Sequence, residues 1–89
     1  MLSLGQLMAT PGALAELESS GTTAMQYILR HQGGDWGDVC AEDARANREA
    51  LNHGLRILSV YLLPVTNAKI YVITEYDRSC TTLLLAKEY

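Results

Sequence analysis

The chain has no phenylalanine, one tryptophan, two prolines and two cysteines. Without phenylalanine, its core has to be aliphatic, with tyrosine and Trp36 supplying the bulk. Two cysteines, Cys40 and Cys80, are too few for a disulfide scaffold. The stretch from Met1 to Gly12 lacks the basic start and long apolar centre of a secretory signal. No apolar run approaches the roughly 20 residues that cross a bilayer. A reduced, cytoplasmic protein with no membrane association is therefore expected. Seven basic residues stand against ten acidic ones, for a net charge of −3, and they form no run. Such a balance offers no basic face to a phosphate backbone, so nucleic acid is not an expected partner. Also missing are a glycine-rich phosphate loop ending in Lys-Ser/Thr, GxSxG, HExxH and CxxC. His31, Cys40, His53 and Cys80 match no usual zinc spacing. Neither a metal nor a cofactor is expected.

What remains is ordinary for a folded domain: 89 residues, 48% hydrophobic and 19% charged, enough for a single domain over 1–89. The first nine residues form a short strand or a packed arm, a pattern too brief to decide. Thr10-Pro11 is a helix start, with a hydroxyl cap and proline in the first turn, and Gly21 ends that helix. Thr22 or Thr23 caps a second helix, in which Met25, Ile28 and Leu29 share an apolar face; Gly33-Gly34 closes it. A third helix runs from about Ala41 to Asn52, with Glu42 and Asp43 at its positive end and Ala44, Arg48 and Leu51 along one side. Three β-rich runs follow: Arg56–Leu63, Ala68–Glu75 and Thr81–Leu85. Their short connections imply an antiparallel meander. The expected fold is α+β, with two to three N-terminal helices packed on a three-stranded antiparallel β-meander.

Two polar constellations interrupt this scaffold. In the loop after the second helix, Asp35, Trp36 and Asp38 form a candidate binding group beside His31, since tryptophan is favoured where proteins meet. Alternatively Trp36 plugs the gap between helices and sheet, its indole N–H held by a backbone carbonyl. His31 and His53 each fall in the last turn of a helix, where a partly positive imidazole is favoured. The second constellation runs from Thr74 to Thr82. Glu75 as general base, Arg78 on a phosphate and His31 as acid make a candidate catalytic set. Glu75, Arg78 and Thr82 are also candidate binding residues. The plainer alternative is a hairpin turn in which Arg78 is held by Glu75 or Asp77. Thr81 and Thr82 are neighbours on a strand and must face opposite ways, so they cannot serve one site together.

The stretches His31-x-x-Gly34-Asp35-Trp36-Gly37-Asp38, Arg56-Ile57-Leu58-Ser59-Val60-Tyr61 and Ile73-Thr74-Glu75-x-Asp77-Arg78-Ser79-x-Thr81-Thr82, with Glu88-Tyr89 at the end, resemble a family of small plasmid-related bacterial proteins. The resemblance implies carriage on plasmids, integrated elements or phages, and it implies no activity. Where such proteins read Leu-Pro-Glu-Glu-Tyr, this chain reads Leu85-Ala86-Lys87-Glu88-Tyr89, which leaves the end of the last strand open. Arg56-Ile57-Leu58-Ser59 and Ile70-Tyr71-Val72-Ile73-Thr74 are also similar to strand segments of barnase-type toxin nucleases. That likeness implies a catalytic glutamate and histidine. Two functions are therefore expected as alternatives. One is a non-enzymatic protein-interaction module of a mobile element that acts on a host protein or defence system, with a protein or a second copy of itself as partner. The other is a small endoribonuclease using Glu75, Arg78 and a histidine.

Overall fold

The computed structural model describes residues 2–89. Local signals set the helices. Thr10 accepts a hydrogen bond from the Ala13 N–H and Pro11 occupies the first turn, giving α1, Pro11–Ser20. Thr23 caps α2, Ala24–Gln32, through the Gln26 N–H. The Cys40 thiol caps α3, Ala41–His53, through the Asp43 N–H, with Glu42 and Asp43 in the first turn. Four strands accompany them: β1, Gln6–Ala9; β2, Ile57–Leu62; β3, Lys69–Thr74; and β4, Cys80–Leu85, which ends in a 3-10 turn over Ala86–Glu88.

The α+β class is as expected, but the sheet is larger than the meander. It has four strands in the order β1-β4-β3-β2 and is mixed. β2, β3 and β4 are antiparallel neighbours. β1 lies parallel to β4, with Leu7 opposite Thr81 and Ala9 opposite Leu83. The partner of β1 is at the far end of the chain, and four residues carry too little periodicity to announce it. Close backbone approach makes the pairing possible. Gly5 has φ +65°, and a Cβ there would lie 2.4 Å from the carbonyl oxygens of Arg78 and Ser79.

Alternation divides the sheet into two unlike faces. Ile57, Ser59, Tyr61, Ile70, Val72, Thr74, Thr81, Leu83 and Leu85 point to one side and are all buried. There Ala13 and Leu17 of α1 and Tyr27 and Ile28 of α2 join Tyr61, Leu63, Ile70, Val72, Leu83 and Leu85 in the main core. A smaller core holds Leu2, Ala50 and Ile57, with Leu4 and Trp36 against it. The opposite face carries Met8, Leu58, Val60, Leu62, Tyr71, Ile73, Thr82 and Leu84, and none of these belongs to either core cluster. The chain end crosses it, and on this side Val60 and Ile73 are themselves buried, at 9% and 4% exposure. The Tyr89 ring meets Tyr71 edge-on at 5.5 Å, and Arg56 lies over Tyr89 at 5.4 Å and donates to its hydroxyl.

Two helices turn different sides inward from those expected. In α2 the buried residues are Tyr27, Ile28 and His31, while Met25 and Leu29 are 49% and 59% exposed. The observed i, i+1, i+4 spacing and the expected i, i+3, i+4 spacing both fit one helix face; His31 shifts the buried arc because hydroxyl partners await it on the sheet. In α3 the buried residues are Asn47 and Ala50, and Leu51 is exposed. Asn47 goes inward to serve the free edge of β2. Its side-chain oxygen accepts from the Leu58 N–H at 3.0 Å and its NH2 donates to the Leu58 carbonyl at 2.7 Å.

Candidate functional site

The residues singled out by the sequence fall in three places. The first is buried under the helices. His31, 1% exposed, hangs from α2 between two strands. Its Nδ1 lies 2.6 Å from the Ser59 hydroxyl on β2, and its Nε2 lies 2.8 Å from the Thr74 hydroxyl on β3. Thr74 is 2.7 Å from the Thr81 hydroxyl on β4, which donates at 2.8 Å to the Leu4 carbonyl. A carbonyl can only accept, and this fixes the protons from Leu4 back to Nε2 of His31. Thr81 gives its proton to Leu4, Thr74 gives its own to Thr81, and His31 donates from Nε2 to Thr74. Burial lowers the imidazole pKa from 6.5 to about 4, so at neutral pH the ring is neutral and its Nδ1 accepts from Ser59. This corrects the expectation of a partly positive His31 stabilised by a helix end. Ser59, with 0% exposure, is no more available to a substrate than the histidine.

The second place is an open cavity of about 480 Å³ between the amino-terminal arm, the ends of α2 and α3, and the turn after β3. Its walls include Leu2, Gln32, Trp36, Leu51 and Arg78, with His31 forming wall rather than an accessible group. Trp36 is packed against the smaller core, which favours the gap-filling alternative over an exposed anchor. The carbonyl expected for its indole N–H is not there: Nε1 is buried without a partner. Its backbone is used instead. The Trp36 carbonyl accepts from the Val60 N–H at 3.0 Å, and the Asp38 N–H donates to the Val60 carbonyl at 2.7 Å, so the loop seals the edge of β2. Gly37 makes the approach possible, since a Cβ there would sit 2.0 Å from the Val60 oxygen.

Arg78 occupies the cavity rim, but three of its five N–H donors are committed to backbone carbonyls. Nη1 reaches the carbonyls of Leu55 and Glu75 at 2.6 and 3.0 Å, and Nη2 reaches that of Ala50 at 3.1 Å. It pins the hairpin turn to the carbonyl end of α3, where a cation is favoured. Neither Glu75 nor Asp77 holds it through a carboxylate. Asp35 is tied to Arg30 at 2.7 Å, and that hydrogen bond holds its carboxyl below the usual range. Arg30 in turn stacks over Tyr61 at 4.6 Å. The carboxylate of Asp38 is exposed.

The third place is the helix-free face. Thr82 faces that side, opposite Ile73. Alternation carried one residue past β3 puts Glu75 there as well, with its N–H on the Cys80 carbonyl. Glu75 does not line the cavity that His31 and Arg78 border. Base, acid and anion clamp are thus not brought to one concave surface. No protein-family model, curated protein or solved structure matches the chain. Among the described residues, no group of three or more His, Cys, Asp or Glu side chains converges on a point that could hold a metal, and both cysteines are free. No helix there is long and apolar enough to cross a membrane.

Sequence reasoning passed over the open sheet face and the buried hydroxyl series. The signal for the first was present: Leu58, Val60 and Leu62 are apolar on the side of β2 that a one-sided sheet leaves bare. The signal for the second was not, because Ser59, Thr74, Thr81 and His31 are joined only by strand register.

Proposed function

We propose that the chain is a non-enzymatic protein-interaction module that binds protein through the helix-free face of its sheet. The observation that carries this reading is the composition of that face: Met8, Leu58, Val60, Leu62, Tyr71, Ile73 and Leu84, with Arg56 and Tyr89 across it and no helix over it. Leu62 is 50% exposed, Met8 48% and Tyr89 63%; Leu58, Tyr71 and Leu84 are half-buried, and Val60 and Ile73 are buried among them. A contiguous apolar patch rimmed by polar groups marks contact surfaces, and tyrosine, methionine and arginine are the residues enriched in them. The commitment of Arg78 to backbone carbonyls and the inaccessibility of His31 and Ser59 argue for binding over catalysis. The likeness to plasmid-related proteins adds the expectation that the module serves a mobile element, acting on a host protein or defence system within the cytoplasm.

The test immobilises the chain and its Met8→Glu variant and compares the proteins each retains from a bacterial lysate, with the chain itself added as one candidate. Retention by the parent and loss by the variant is the expected result. Retention of no protein at all, the chain included, refutes the reading, as does a purified chain that cleaves RNA.

A further inference from the structure

We propose that the helix-free face is covered by a second copy of this chain, two sheets packing face to face about a two-fold axis. This rests on the reading of that face as a protein-binding surface and names its occupant. The argument comes from how charge is laid out along β3. Lys69 begins β3 and Glu75 lies one residue past its end, still bonded to Cys80; six residues apart, both point to the open side, about 20 Å from each other. Between them that side of β3 holds only Tyr71 and Ile73, flanked by Val60 and Leu58 on β2 and by Leu84 and Thr82 on β4. The pattern reads cation, apolar centre, anion. A two-fold axis crossing the strands between the levels of Tyr71 and Ile73 reverses that order in the other copy. Lys69 then stands over the partner's Glu75, and the same pair recurs at the opposite end. Leu84, Tyr71 and Val60 of one copy lie level with Thr82, Ile73 and Leu58 of the other; Val60 and Ile73 are already buried within each copy, so the contact falls to the half-buried Leu58, Tyr71, Thr82 and Leu84 and to the Tyr89 ring over Tyr71.

The alternative pairing is along the sheet edges, and it leaves the apolar face bare. The edge of β2 is already closed by Asn47 and by the Trp36–Asp38 segment. Pairing through β1 places all helices on one side and doubles the uncovered apolar surface on the other. Face-to-face packing removes it. Three strands about 20 Å long and β1 about 13 Å long, about 4.8 Å apart, give a flat footprint of roughly 350 Å² per copy. That is below the roughly 500 Å² from each side of a stable specific interface and corresponds to a weak, reversible dimer.

Sedimentation velocity on the purified chain from about 1 to about 500 µM tests this, with mass moving from 9.8 kDa to twice that value as concentration rises. Leu62→Glu, at a half-exposed position, is expected to keep the parent's circular dichroism and melting temperature and to remain monomeric throughout. Lys69→Glu and Glu75→Lys singly set like charges opposite one another and weaken association about tenfold or more. The double variant restores the opposed pairs and recovers the parent affinity to within about threefold. A chain that is monomeric at every concentration, a dimer indifferent to Leu62→Glu, or a double variant no better than the singles each overturns the second-copy proposal. A monomer that still retains another protein in a Met8-dependent way leaves the interaction reading standing, whereas a chain that retains nothing sinks both.

Discussion

Single residues set the chemistry of the interior here, and His31 sets most of it. Its neutral form completes a series in which Ser59, Thr74 and Thr81 each donate one proton and accept one or none. Adding a proton at Nδ1 turns an acceptor into a second donor facing the Ser59 hydroxyl and puts a charge in the buried interior. The folded chain therefore holds a proton on His31 only below about pH 4, whereas the unfolded chain does so below about 6.5. Above 6.5 both states are neutral and stability does not depend on this group. As pH falls from 6.5 towards 4 the unfolded state takes up the proton first, and stability declines by about 3 kcal/mol in all. Urea unfolding at pH 7.5, 5.5 and 4 measures the decline, and His31→Gln is expected to flatten it over that window. The carboxyls of Asp35, Asp77 and Glu88 are held low by hydrogen bonds, so their losses come further down, as pH drops through their depressed folded values. The two neighbouring threonines test the same network. Thr74→Val strands the His31 Nε2–H in the interior and costs about 2 kcal/mol. Thr82 makes no side-chain hydrogen bond among the described residues, and Thr82→Val changes stability by less than about 0.5 kcal/mol. Equal costs in denaturant titrations would rule out the proton assignment.

Among the elements, β2 shows how an exposed strand edge is made safe. An outermost strand has alternate N–H and C=O groups without a strand neighbour, and here Leu58 and Val60 are the residues that turn outward. Asn47 answers the first with a side chain that copies a peptide group, donor and acceptor together. The Trp36–Asp38 backbone answers the second. The helix and the loop therefore carry equivalent tasks on alternate residues of β2. Replacing Asn47 by Ala is expected to cost about 2 kcal/mol and to open only its own half of the edge. Hydrogen exchange should show the Leu58 amide exchanging at least tenfold faster, with the Val60 amide still protected by the Trp36 carbonyl. Simultaneous loss of both protections would mean that the edge is sealed as a unit. These positions also show why secondary structure was more legible than its purpose. Caps, glycines and apolar runs act within a few residues, so the three helices and β2 to β4 could be read from neighbours in sequence. Asn47 reads as a polar residue on a solvent-facing helix until β2 is seen beside it. His31 reads as a helix end until Ser59 and Thr74 are placed by register.

For the molecule as a whole, the decisive contact is the one that joins its two ends. β1 and β4 were the least legible pair, because a parallel pairing over such a separation leaves no turn to mark it and is bonded through backbone atoms common to all residues. Yet several forms of stabilisation meet there. Leu2 is buried in the smaller core, Leu4 packs against both cores, and Ala9 packs against the main one. The Leu4 carbonyl is the terminal acceptor of the buried hydroxyl series. Removing residues 1–9 withdraws two leucines, each worth about 1.5–3 kcal/mol when fully buried, and leaves the Thr81 hydroxyl without its acceptor. It also bares the edge of β4 at Thr81 and Leu83. Against the modest total stability of a small domain, a loss above about 3 kcal/mol is expected, with aggregation through the uncovered edge. Gly5→Ala applies the same stress without deletion, by forcing the backbone of the arm away from Arg78 and Ser79. Thermal melts by circular dichroism should show the truncated chain unfolded or sharply destabilised and Gly5→Ala lowered in the same direction. A truncated chain that melts within a few degrees of the full one would show that the helices and the β2–β4 meander fold alone, and that β1 only decorates the sheet.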